Sequence, residues 1–216
     1  INPWPTTDFA TSSILCEKNS ITFSNSSDAQ VGNLIRWYWN LGDGTIINST
    51  NGNTFNHIYT SWGNKTIKLL VENSKGCKSD TVIRTIAVNP LPMPGFSNTY
   101  ACLPDGVVNF TDTSKIADAT QNQFTYLWNF GNASSGSLNN STLKNPSHKY
   151  PSTGPFTVKL IVTSNSSCID SVQKSISNIY PQPKAGINAP AEVCFQTPVT
   201  FRDQTNGITH PVTRWE

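Results

Sequence analysis

Five cysteines, three histidines and thirteen acidic residues are the groups of this 216-residue chain that could do chemistry. A thiol can be a nucleophile, a metal ligand or half of a disulfide; an imidazole can move a proton; clustered carboxylates can cleave glycosides or hold a hard cation. Catalysis requires such groups to converge on one point. His57, in HIY, and His148, in HKY, recur in equivalent contexts, as a structural strand histidine would, and His210 has no identifiable partner. No acid pair recurs with them as a glycosidase dyad would need. No glycine-rich phosphate loop, CxxC or HExxH occurs. Asp43, in GDG, is the one calcium candidate. An aspartate in a Gly-flanked hairpin also closes an Asx turn without metal, and its counterpart at the second site is Asn132, which argues against a metal role shared by both. No catalytic residue and no other cofactor is expected.

The elements that must position these residues are set by an internal repeat. INPWPTTDF, VNPLPMPGF and IYPQPKAGI place their first prolines at Pro3, Pro90 and Pro181, spacings of 87 and 91 residues. Behind these phrases come Cys16, Cys102 and Cys194, then Phe23, Phe110 and Phe201, then Trp39, Trp128 and Trp215. TIKLLVEN lies over TVKLIVTS, and Cys77 over Cys168. Apolar residues alternate with period 2 in both of those segments, and GDG, NGN, SKG and STGP punctuate the runs, so the repeats read as antiparallel strands and turns. About seven strands in some 85 residues imply an all-β, immunoglobulin-like sandwich. Strand parity points Trp37, Trp39 and Leu41 inward, and likewise Tyr126, Trp128 and Phe130. The expected organisation is the end of a preceding repeat and linker at 1–8, sandwich one at 9–89, a Pro-rich linker at 90–95, sandwich two at 96–180, a second linker at 181–186, and the first part of a third repeat at 187–216. The chain is thus expected to be a window on a longer array. Pro-x-Pro fixes φ at alternate positions and favours an extended, semi-rigid connector.

Within-unit pairing would join Cys16 to Cys77 and Cys102 to Cys168, stabilising each unit by roughly 4 kcal/mol; free buried thiols are the alternative. Cys194 would find its partner beyond the end of the chain. Such bonds persist in an oxidising compartment. The composition agrees: Asn, Ser and Thr number 24, 24 and 25, while charged residues make up only 13%. A formal charge of +2 without a basic run excludes a nucleic-acid footprint. No apolar stretch approaches the length of a membrane helix, and no signal peptide stands in these residues, so an export signal would be removed or lie upstream.

The tract WNLGDG, then HIY, a glycine, TIKLLVEN, GC and a strand ending in VNPLPMPGF resembles the PKD (polycystic-kidney-disease repeat) domain. Trp39, Gly42, Asp43, Gly44, His57, Tyr59, Gly63, Asn73, Gly76 and Cys77 carry the pattern; the second unit keeps Trp128, Gly131, His148, Tyr150, Gly154 and Cys168 but departs at Asn132-Ala133. The chain is thus expected to hold tandem PKD domains, two complete and one truncated. The GC–strand–PxP ending is similar to PKD arrays of Bacteroidota surface proteins, among them gliding adhesins and type IX secretion substrates. The resemblance implies an extracellular or cell-surface location reached through the periplasm, and a non-catalytic stalk or adhesin shaft whose partners are neighbouring repeats, with secretion-machinery or cell-surface proteins and polysaccharide as further candidates. It keeps calcium at Asp43 open, since some PKD-like domains bind it. Asp80-Thr81-Val82 and Asp170-Ser171-Val172 resemble the D-S/T-hydrophobic sequon for O-glycans in that phylum, making Thr81 and Ser171 glycosylation candidates. Trp62, where the second unit has Thr153, is not required by the repeat and is the candidate for sugar or protein binding. A carbohydrate- or protein-binding accessory module of a secreted hydrolase is the alternative function.

Overall fold

The structure is a computed structural model that describes residues 2–208 and 211–214; His210 and Trp215 lie outside the described residues. It divides into two compact units, the first comprising Ile1–Met93, Ser114–Thr125 and Val162–Asp170, the second Pro94–Thr113, Tyr126–Ile161 and Ser171–Glu216.

The first repeat contributes seven strands: β1 (Phe9–Thr11), β2 (Ser20–Asn25), β3 (Leu34–Asn40), β4 (Ile46–Ser49), β5 (Phe55–Ile58), β6 (Gly63–Asn73) and β7 (Val82–Val88). They form two antiparallel sheets, ordered β1-β2-β5 and β4-β3-β6-β7. Alternation along β6 buries Ile67, Leu69 and Val71 completely, and Trp37, Trp39 and Leu41 turn inward from β3 as parity requires. Trp39 meets Phe9 and Phe55 edge-on with ring centroids 5.3 Å apart, so its indole packs from one sheet onto the other within the core.

The second repeat is built alike from β8 (Phe96–Asn98), β9 (Ala101–Cys102), β10 (Val107–Asp112), β11 (Thr125–Asn129), β12 (Asn140–Ser141), β13 (Ser147–Lys149), β14 (Phe156–Thr163), β15 (Ile169–Ile176) and β16 (Ile179–Tyr180). Its sheets are β13-β10-β8 and β12-β11-β14-β15, with a parallel pair β16-β9. Trp128 takes the place of Trp39, with Phe96 at 5.2 Å and Phe110 at 5.5 Å. Tyr126 keeps the parity of Trp128 but is less deeply set: it is half-buried between exposed Thr125 and Leu127, and its hydroxyl donates to Asp112 Oδ2 at 3.0 Å. A kinked 3-10 segment, Ala133–Asn139, replaces the tight GDG turn where the sequence changes to Asn132-Ala133. The last pair, β17 (Ile187–Asn188) with β18 (Arg202–Asp203), repeats the opening geometry. Phe9↔Asn25, Phe96↔Asp112 and Ile187↔Asp203 are register partners spaced by 87 and 91 residues, the spacings of the prolines.

The cysteines depart from the expected pairing. Cys16 is bonded to Cys168, with Cα atoms 5.7 Å apart across 152 residues of sequence, and Cys77, Cys102 and Cys194 are free. Strand direction explains the correction. Cys16 bridges Asn89, immediately after β7, and β7 ends opposite the start of β6 (Val88↔Gly63). Cys77 lies beyond the other end of the eleven-residue β6, so the two thiols sit roughly 33 Å apart along the sheet. A disulfide tolerates less than about 7 Å between Cα atoms. The same holds in the second repeat: Cys102 pairs with Tyr180, past the far end of β15, and Cys168 precedes its start. Five strands separate the two cysteines of each repeat, and an odd number of end-to-end strands always delivers the chain to the opposite end.

Candidate functional site

Two histidine sites stand at equivalent positions. In the first, the β3–β4 turn carries Asp43 back onto β5, where its Oδ2 meets His57 Nε2 at 2.7 Å and its Oδ1 accepts the Thr45 amide at 3.0 Å. Burial alone would raise the Asp43 carboxyl, but hydrogen bonds from His57 and Thr45 and the His57 charge together bring it below its ordinary value. Tyr59, fully buried, donates to the Leu41 carbonyl at 2.8 Å; burial, then the Asp43 charge, pushes its phenol well above the usual range. In the second repeat Asn132 Nδ2 lies 3.1 Å from His148 Nε2 and Tyr150 donates to Phe130 O at 2.9 Å. Desolvation lowers the His148 imidazole, partly offset by a backbone hydrogen bond to Leu138. Both carboxylate oxygens of Asp43 are thus engaged inside the protein, and no group of three His, Cys, Asp or Glu side chains is arranged to hold a metal among the described residues. The pairs pin a turn to a strand; an amide serves that purpose in the second repeat as a carboxylate does in the first.

A polar cluster surrounds the linker after β7, and its members belong to the first compact unit. Asn89 N and Nδ2 both donate to Leu15 O, at 2.7 and 3.0 Å, and Glu17 N returns a bond to Asn89 O at 2.9 Å. Glu17 spans the cluster: Oε1 accepts the Leu91 amide at 3.2 Å and Oε2 the Trp62 amide at 3.1 Å. At the far end of the linker Met93 and Lys115 exchange both backbone hydrogen bonds, at 2.8 and 3.1 Å. Between these anchors lie Pro90 and Pro92, which need no donor partner, and beside them the Cys16–Cys168 bond, both sulfurs fully buried. These linker residues are therefore hydrogen-bonded at both ends, beside a disulfide, within the first compact unit. Sequence reasoning saw the prolines but not Glu17 or Asn89; an acid directly after the leading cysteine and an Asn directly before Pro90 were the available signals.

The remaining candidates lie apart. Trp62 is 45% exposed, and no other ring packs on it among the described residues. Trp4 is 66% exposed and lines an open cleft with Pro5, Asp80 and Thr81. Thr81 precedes β7 and Ser171 lies in β15; both are exposed. A second cleft, in the other unit, is lined by Cys102, Tyr180, Pro181, Pro183 and Val212.

A family model described as the PKD domain matches residues 2–88 and again 90–178. Among solved structures, the PKD1 domain of Vibrio anguillarum Epp is 26% identical, covers 41% of this chain and 96% of its own, with a TM-score of 0.35. The PKD1 domain of the Vibrio cholerae metalloprotease PrtV is 27% identical, covering 40% and 98%, with a TM-score of 0.34. A structure of carbohydrate-binding modules from the β-sandwich superfamily is 15% identical, covering 95% and 85%, with a TM-score of 0.39.

Proposed function

This chain belongs to the PKD domain family, and from that premise we propose that it is a load-bearing spacer, a stretch of stalk or adhesin shaft in a large exported surface protein. PKD domains are generally non-catalytic modules of secreted or surface proteins. The disulfide calls for an oxidising compartment, and no described helix is long and apolar enough to cross a membrane. The observation that carries the proposal is the Cys16–Cys168 bond beside a linker anchored at both ends. Tension applied to the two ends of the chain passes through the S–S bond and bypasses the residues between. That is useful to a shaft. The similarity to Bacteroidota arrays extends the proposal to type IX secretion and to a role in adhesion and gliding, with neighbouring repeats and cell-surface or secretion-machinery proteins as partners.

Single-molecule stretching of the oxidised chain tests the mechanical reading. The 152-residue loop should stay hidden, withholding about 50 nm of contour length that reduction of the disulfide restores. Release of that length from the oxidised chain would overturn the proposal. The exposed indole of Trp62 favours a second reading, an accessory module that binds polysaccharide or protein. Glycan and protein binding that disappears in Trp62→Ala, with unchanged folding, would establish that reading in place of the first.

A further inference from the structure

We propose that Cys77 and Cys102 are half-cystines awaiting neighbouring repeats of the same polypeptide: Cys102 bonds the turn cysteine of the following repeat, and Cys77 the leading cysteine of the preceding one. The inference rests on the observed bond and not on the mechanical reading. Cys16 is a leading cysteine and Cys168 a turn cysteine, and the chain rebuilds both cradles at the two free thiols. The leading cradle closes with Asn19 N donating to Cys16 O at 3.3 Å; Gly106 N donates to Cys102 O at 2.9 Å and Thr197 N to Cys194 O at 3.1 Å. The strand leading into the next linker runs parallel beside it both times, as Cys16↔Asn89 and Cys102↔Tyr180. In the turn cradle Asn73 N donates to Cys77 O at 3.0 Å, and Ser164 N to Cys168 O at 2.8 Å. The side chain of the same residue then accepts the cysteine amide, Asn73 Oδ1 at 3.0 Å and Ser164 Oγ at 3.2 Å. Even the positive φ before the cysteine recurs, +77° at Gly76 and +62° at Ser167.

Burial separates used from unused copies. Cys16 and Cys168 are wholly buried, whereas Cys102 is exposed, lining the cleft with Tyr180 and Pro181, and Cys77 is half-exposed. Neither free thiol has a partner inside its own repeat, because the leading and turn cysteines of one repeat lie at opposite ends of it. A bond between leading and turn cysteines of successive repeats is the kind the structure contains. Each new bond would join two thiols with loss of two electrons and two protons to a disulfide oxidant of the exporting compartment, which is reduced to the dithiol.

Cystine mapping of the full-length exported polypeptide tests this: thiols are alkylated in denaturant, the chain is digested without reduction, and linked peptides are identified by mass spectrometry. The expected result links Cys102 to a turn cysteine beyond residue 216 and Cys77 to a leading cysteine before residue 1. Alkylated Cys77 and Cys102, a Cys16–Cys77 link, or a Cys77–Cys102 link between two copies would overturn it. In Cys102→Ser, one additional alkylated cysteine is expected, in the turn of the following repeat; a new free thiol at any other position overturns the assignment, as does none.

Discussion

Asp43 and Asn132 occupy one structural position with different answers to acid. The folded state lowers the Asp43 carboxyl below 3.8, so its contribution is complete above the unfolded value and is lost as pH falls through the folded one. His148 is lowered from 6.5, so the unfolded chain binds its proton first and stability declines as pH falls below about 6.5. Asp43→Asn should therefore flatten the loss of stability below about pH 4, leave the decline between pH 7 and 5 intact, and cost about 1–2 kcal/mol at pH 7 for a charge-assisted hydrogen bond. Denaturant midpoints at pH 7, 5 and 3 check this, and the His148 ring proton should titrate below 6.5 by NMR. The Asp43–His57 positions were legible in the sequence because they recur with the strand pattern. The carboxylate contacts of Glu17 were not: they depend on a parallel bridge between Cys16 and Asn89 that no local periodicity announces.

At the scale of elements, β3 and β11 are each followed two residues on by a glycine held against the neighbouring strand of the sheet, β6 or β14. Gly42 sits at φ +78°, where a Cβ would come within 2.6 Å of Thr66 N; Gly131 sits at φ +71° and its Cβ would meet Thr157 O. Thr66 is held in the β6–β7 ladder opposite Thr85 and Thr157 lies within β14, so neither backbone can yield without disturbing its sheet. Gly131→Ala should destabilise the second repeat by about 2 kcal/mol or more, read as a lowered denaturation midpoint, while Gly136→Ala, whose Cβ meets open space, should show only the milder cost of its positive φ. The sheets themselves were legible, since alternation in TIKLLVEN and TVKLIVTS leaves one register with a buried face. The 3-10 segment at Ala133–Asn139 was not. Its residues are mostly small and polar without periodicity, and it occupies the passage from Gly131 to β12.

For the whole molecule, the repeat register was written in the spacing of Pro3, Pro90 and Pro181, and the strand pairs reproduce it. The cysteine pairing was not, because aligning repeats shows which positions are equivalent but not which end of a sandwich each occupies; counting the five intervening strands supplies that. A loop of 152 residues should stabilise the oxidised chain by about 5 kcal/mol on the chain-entropy scale. Cys168→Ser should lower the unfolding free energy by up to that amount, measured with Cys77, Cys102 and Cys194 alkylated in both proteins. The same bond has a consequence for survival among extracellular proteases. A single cut anywhere between Cys16 and Cys168 opens a ring without dividing the molecule: the nicked chain keeps its mass on a non-reducing gel and separates only when a reductant is added. Surface loops such as Asn51-Gly52-Asn53 could then be clipped with no fragment released, and whatever stands at the two ends would remain joined.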